Sequence, residues 1–113
     1  MLYIGSMGWV VEALNAAVRA EIDTLPDDMK AKFLRIVEMI QASGLERMRE
    51  PYVKHLENRL WEMRMSGRDG ISRAIYVTAS GRRIVVLRVF IKKTQKTPNS
   101  ELRIARVRAK EVE

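Results

Sequence analysis

Residues 60–92 read LWEMRMSGRDGISRAIYVTASGRRIVVLRVFIK, and their period decides the fold. Side chains along a strand alternate between two faces. In LWEMRM this sets Trp61, Met63 and Met65 against Leu60, Glu62 and Arg64. SGRDG is rich in turn residues. In ISRAIYVTA, Ile71, Arg73, Ile75 and Val77 share one face and Ala74 and Tyr76 the other. Ser80-Gly81 makes a hairpin turn into the β-branched run RIVVLRVFIKK. There Val85, Leu87, Val89 and Ile91 oppose Ile84, Val86, Arg88, Phe90 and Lys92. The reading is three consecutive antiparallel strands.

Upstream, the period changes to 3.6. Leu14, Val18, Ile22 and Leu25 recur at helical spacing, as do Met29, Phe33, Ile36, Val37 and Ile40. Pro26 stops the first helix and opens the second, with Asp27 and Asp28 at its positive end. Gly44 suits the left-handed position that ends it. Two antiparallel helices with a tight joint follow. Trp9 to Val11 read as a short first strand and residues 45–58 as a connecting loop, since Pro51 argues against a helix. Downstream, Asn99 or Ser100 caps a last helix with Leu102, Ile104, Ala105 and Val107 on one side and Arg103, Arg106, Arg108 and Lys110 on another.

The order predicts one α+β domain over residues 1–113: an N-terminal helical pair packed on one face of a small antiparallel sheet, with a C-terminal helix. The pair is expected to cover the Trp61/Met63 and Val85/Leu87 face, leaving the other open or partly under the tail. Residues 1–8 read as an extension, with Met7 an alternative start. They lack the basic flank of a signal peptide.

Composition narrows the function. With no cysteine, disulfide frameworks and cysteine zinc sites are excluded. No apolar run approaches the ~20 residues that span a bilayer, so no membrane partner is expected. Net charge is +7 and unevenly spread: residues 1–58 sum to −2 and residues 59–113 to +9. A basic half beside a slightly acidic one is the footprint of a polyanion-binding surface.

The face expected to be open carries Arg64, Arg73 and Arg88 from successive strands, with Lys92 at a strand end and Lys93 and Lys96 beyond it. Glu62 can neutralise one of these charges; a phosphodiester backbone could neutralise several. Phe90 could stack on a base or pack under the last helix. His55, beside Lys54, is the one side chain with an unperturbed pKa near neutrality. Its bland alternative is packing beside Leu56.

The stretches LWEMRMSGRDGISRAIYV, GRRIVVLRVFIKKTQKTP and ELRIARVRAKE resemble the phage-derived branch of the RelE/HigB-like toxins of bacterial toxin–antitoxin systems. The most specific piece is FIKKTQKTP, residues 90–98, directly after a strand. The sequence departs from the branch at Ser72, where an aromatic commonly precedes the arginine, and at Arg88, where histidine is frequent. The resemblance implies a cytoplasmic, ribosome-dependent mRNA endoribonuclease in which the RNA's 2′-hydroxyl attacks the adjacent phosphate, a route that needs no metal or cofactor. It implies Arg64, Arg73, Lys92, Lys93 and Glu62 as catalytic residues, with Arg64 and Arg73 clamping phosphate. Arg88, Phe90, Lys96, Lys54 and His55 are expected to bind RNA. Implied partners are mRNA and rRNA at the ribosomal A site and a helix-turn-helix antitoxin. The alternatives are a ParE-like gyrase inhibitor, which is not a nuclease, and a basic nucleic-acid-binding module without catalysis.

Overall fold

A computed structural model of the chain describes residues 2–4, 8–92 and 96–112. Its elements in chain order are β1 (Leu2–Ile4), β2 (Val10–Ala13), α1 (Ala16–Asp23), α2 (Asp27–Ser43), a 3-10 turn (Leu45–Arg47), β3 (Val53–Glu57), β4 (Leu60–Gly67), β5 (Gly70–Ala79), β6 (Arg83–Lys92) and α3 (Asn99–Ala109). The six strands form one sheet in the order β1-β2-β6-β5-β4-β3. All neighbours are antiparallel except β2 and β6, which run parallel.

Local chemistry explains the helix ends. The Asn15 side chain caps α1 by accepting from the Val18 N–H at 3.0 Å. Pro26 precedes α2, whose first turn holds Asp27 and Asp28. Asp28 also reaches out of its helix and accepts the Arg68 N–H at 2.8 Å, tying α2 to the β4–β5 turn. That turn comes so close that a Cβ on Gly67 would lie 2.7 Å from the Asp28 carboxylate and 2.8 Å from Met29. Gly44 ends α2 with φ at 89°, a backbone state that glycine adopts without strain.

Two apolar layers sandwich the sheet. On one face, α1 and α2 bury Val18, Ile22, Met29, Phe33, Ile36, Val37 and Ile40 against Met63, Met65, Ala74, Tyr76, Ile84, Val86 and Val89. The two helices are held by the sheet more than by each other: α1 lies on β6 and α2 on β4. The expected antiparallel helical hairpin is therefore not what organises this layer. On the other face, α3 covers Leu60, Ile75, Val77, Val85, Leu87 and Phe90. The face expected to stay open thus holds a second core.

The three-strand reading holds, with one parity error. Ile75 pairs with Arg88 but Tyr76 pairs with Val86, so Leu87 is an extra residue in β6. Two residues then oppose one, and alternation slips by one position. Upstream of the bulge, Val85 and Leu87 face α3, and Ile84 and Val86 face α1 and α2, the reverse of the expectation. Downstream, Val89 and Phe90 fall where alternation placed them. Nothing in a run of branched apolar residues marks the slip.

The bulge is held by side chains from elsewhere. Glu21 of α1 accepts the Val89 N–H at 2.9 Å, and Arg108 of α3 donates to the Leu87 carbonyl at 2.7 Å. Two further corrections concern the edges. Residues 45–58, read as a loop, contain β3, which pairs with β4 along Val53–Glu57. Leu2–Ile4, read within an extension, form β1 on the other edge.

Candidate nucleic-acid interface

Strand register brings two arginines and a glutamate together. Arg64 and Arg73 are direct cross-strand partners, and Glu62 is two residues from Arg64 on the same face of β4. Lys54 of β3 pairs with Glu62, adding a cation to that face. Ahead of α3, Lys96 and Thr97 lie over this face. The result is a cleft of about 230 Å³ whose lining includes Lys54, Glu62, Arg64, Lys96, Thr97 and Leu102.

Beneath the cleft lies a bonded cluster. Glu62 is fully buried. Its Oε2 accepts from Arg64 Nε at 2.8 Å and lies 3.8 Å from an Arg73 nitrogen. Its Oε1 accepts the Thr97 hydroxyl at 2.7 Å, and that hydroxyl accepts from Arg73 at 3.0 Å. A buried carboxylate is tolerable only when paired and hydrogen-bonded, and here both oxygens are engaged.

This geometry divides roles that the sequence joined. Arg73 has no exposed surface. Burial pulls its guanidinium pKa below the ordinary arginine value; Glu62 opposes that shift, and Arg64 adds to it. Arg73 was expected to clamp phosphate, but here it lies one layer down, holding Thr97 and Glu62. The Arg64 side chain is 19% exposed and backed by the buried carboxylate. It is the guanidinium of the cluster that reaches the cleft. Glu62, expected to be catalytic, is enclosed and orients Arg64.

The remaining predicted residues are scattered around this point. Arg88 is held by two carboxylates, donating to Glu101 at 2.7 Å and to Glu21 at 2.9 Å. The Glu101 hydrogen bond leads in raising its pKa, with burial opposing and Glu21 assisting. Arg108 shares Glu21 at 3.0 Å, so these charges pin α1, β6 and α3 together. Phe90 pairs with Arg73 across β5–β6 but is buried in the α3 core, which favours packing over stacking.

His55 borders the cleft, yet its ring is edge-on to Trp61 at 4.9 Å, and its Nε2 lies 2.8 Å from the Asn58 carbonyl. Lys92 is half-buried at the end of β6, opposite Ile71 and on the side carrying Arg73. Lys93 lies outside the described residues. Among the described residues, no group of three His, Asp or Glu side chains converges as a metal site would.

Sequence reasoning missed Thr97 as a functional position. The signal was present in the KTP run, where the residue before a proline is kept extended and so cannot join the helix that follows. Thr97 precedes Pro98, the residue before α3, and its hydroxyl is thereby free to bridge Arg73 and Glu62.

The crystal structure of the archaeal RelE–RelB complex from Pyrococcus horikoshii OT3 contains a chain similar to this one in fold. The match covers 80% of this chain and 100% of that one, with 20% identity and a TM-score of 0.59. No curated protein matches the chain in sequence. The family model described as Phage derived protein Gp49-like (DUF891) matches residues 20–110, which contain β3 to β6, α2 and α3. With most of its length so matched, the chain belongs to the phage-derived Gp49-like family, a family of RelE/HigB-type toxins.

Proposed function

We propose that this toxin is a cytoplasmic endoribonuclease that cuts mRNA in the ribosomal A site, and that an antitoxin encoded beside it holds it inactive. The observation that carries the reading is the presentation of Arg64: one guanidinium, fixed by a buried carboxylate, at the surface of a cleft that Lys54 and Lys96 also line. Arginine matches phosphate oxygens in geometry and stays charged throughout, which suits it to a five-coordinate phosphorus and not to proton transfer.

In the proposed reaction the 2′-oxygen bonds to the adjacent phosphorus and its proton leaves to solvent. The phosphorus–5′-oxygen bond breaks, and the 5′-oxygen takes a proton. The products are a 2′,3′-cyclic phosphate and a 5′-hydroxyl. Arg64 stabilises the phosphorane. Lys54, across the β3–β4 pair from Glu62, gives the proton to the leaving oxygen, and Lys96 adds positive field. Thr97 and Arg73 keep Glu62, and through it Arg64, in place. The likeness of fold to a RelE solved with RelB supports a protein antitoxin as partner.

The test is brief expression of the chain in a bacterium, with mapping of mRNA 5′ ends. In-frame cuts within translated codons, lost in Arg64→Ala, support the nuclease. Double-strand DNA breaks with intact mRNA point to the gyrase-poisoning alternative. A folded Arg64→Ala variant that cuts as well as the parent refutes the assigned site.

A further inference from the structure

On the other side of Arg64 lies a second cleft, of about 410 Å³. Its cations are Lys32 and Arg35 of α2 together with Arg64; its apolar floor is Ile36, Pro51 and Ile71. Tyr52 stands at its rim with 42% of its surface exposed. No carboxylate lines it. Lys32 donates to the neutral Ser66 hydroxyl at 3.0 Å, and Arg35 has no ion-pair partner among the described residues. Such a volume lies within the range of about 300–1,000 Å³ typical of small-ligand sites.

Lys32 and Arg35 converge with Arg64 around an exposed aromatic ring. Cations that meet no carboxylate, here Lys32 and Arg35, set beside an unstacked ring are the chemistry that holds single-stranded nucleic acid: the ring takes a base and the cations take backbone phosphate. Arg64 forms a wall of both clefts. A strand with its scissile phosphate on Arg64 in the smaller cleft therefore carries its neighbouring nucleotide into the larger one.

We propose that this second cleft is a nucleotide subsite of the same enzyme. The base flanking the scissile phosphate stacks on Tyr52, and Lys32 and Arg35 hold the next phosphate. This inference rests on the nuclease reading. It adds a source of base preference that the Arg64 cleft does not contain. Larger π-faces stack more strongly, so a purine at the flanking position is favoured.

The experiment compares mRNA 5′-end maps for the parent, Tyr52→Phe, Tyr52→Ala, Arg35→Gln and Arg64→Ala chains at matched expression, with thermal melting of each purified protein as a folding control. The expected result is a purine bias beside the cut in the parent and in Tyr52→Phe. In Tyr52→Ala the bias disappears, and cutting at the formerly preferred sites falls about tenfold, within the range for removing one base–aromatic stack. Arg35→Gln reduces cutting at all sites alike, as loss of a phosphate contact does. If Arg64→Ala abolishes cutting but the Tyr52→Ala map superimposes on the parent's, the subsite is refuted and the nuclease reading stands. If the parent makes no mRNA cuts, both fall together.

Discussion

Replacing Glu62 with glutamine tests the buried cluster most directly. The carboxylate is fully buried and faces two guanidiniums, one at 2.8 Å and one at 3.8 Å. At the longer distance, the attraction between unit charges is about 4 kcal/mol at an effective dielectric of about 20. Glutamine keeps one acceptor oxygen, which Arg64 or Thr97 can use, but removes the charge. Arg64 and Arg73, direct partners across β4–β5, would then repel each other without compensation.

Removing one member of a buried ion pair costs about 3–5 kcal/mol. The lower end applies here, because the cluster lies just beneath a partly exposed Arg64. A loss of about 3 kcal/mol is a large fraction of the roughly 5–15 kcal/mol that holds a domain folded. For a chain of this size it should lower Tm by about 10 °C or more. Thermal melting followed by circular dichroism, at neutral pH and low salt, measures it directly. A Glu62→Gln protein that melts within about 2 °C of the parent would mean that Arg73 is compensated by something other than Glu62, and the account of how Arg64 is positioned would fail.

Three other perturbations follow from the same contacts. Arg73→Ala should destabilise the fold by about 3 kcal/mol, because Glu62 and Thr97 each lose a buried partner; urea denaturation checks this. The backbone N–H of Arg68 leads in lowering the Asp28 carboxyl pKa, with Met29 assisting and desolvation opposing. The folded pKa is depressed, so the stabilisation is present above the unfolded carboxylate's pKa and is lost as pH falls through the folded one. The Tm difference between the parent and Asp28→Asn should therefore be full at pH 7 and shrink steadily below about pH 4. Gly67→Ala should cost about 1–3 kcal/mol, because its Cβ meets Asp28 and Met29 at the α2 contact; melting with and without a compensating Met29→Ala would separate overpacking from loss of the Asp28 bond.

Much of the fold was legible because period is a local property. Alternation in residues 60–92 set Glu62, Arg64 and Arg73 on one face, and register aligns them there. The helical stripes of α1 and α2 named the residues that pack on the sheet. Asp27, Asp28 and Gly44 marked the helix ends through dipole and backbone preferences that act within one turn. Charge and motif together pointed to the family that residues 20–110 match.

What only the tertiary structure decided depends on partners distant in sequence. The β6 bulge at Leu87 is stabilised by Glu21 and Arg108, one on each flanking layer, and no window around residue 87 contains either. Strand β3 exists because β4 offers it an edge; its own five residues show little alternation, and Pro51 lies just before them. Whether an arginine clamps a substrate or props up its neighbour is a matter of depth. Arg64 and Arg73 look alike as letters on adjacent strands, and the segment with Thr97 buries one and leaves the other at the surface. Periodicity fixes the face on which a side chain stands, because the backbone alone sets that direction; what covers the face is set by the rest of the chain folding back onto it.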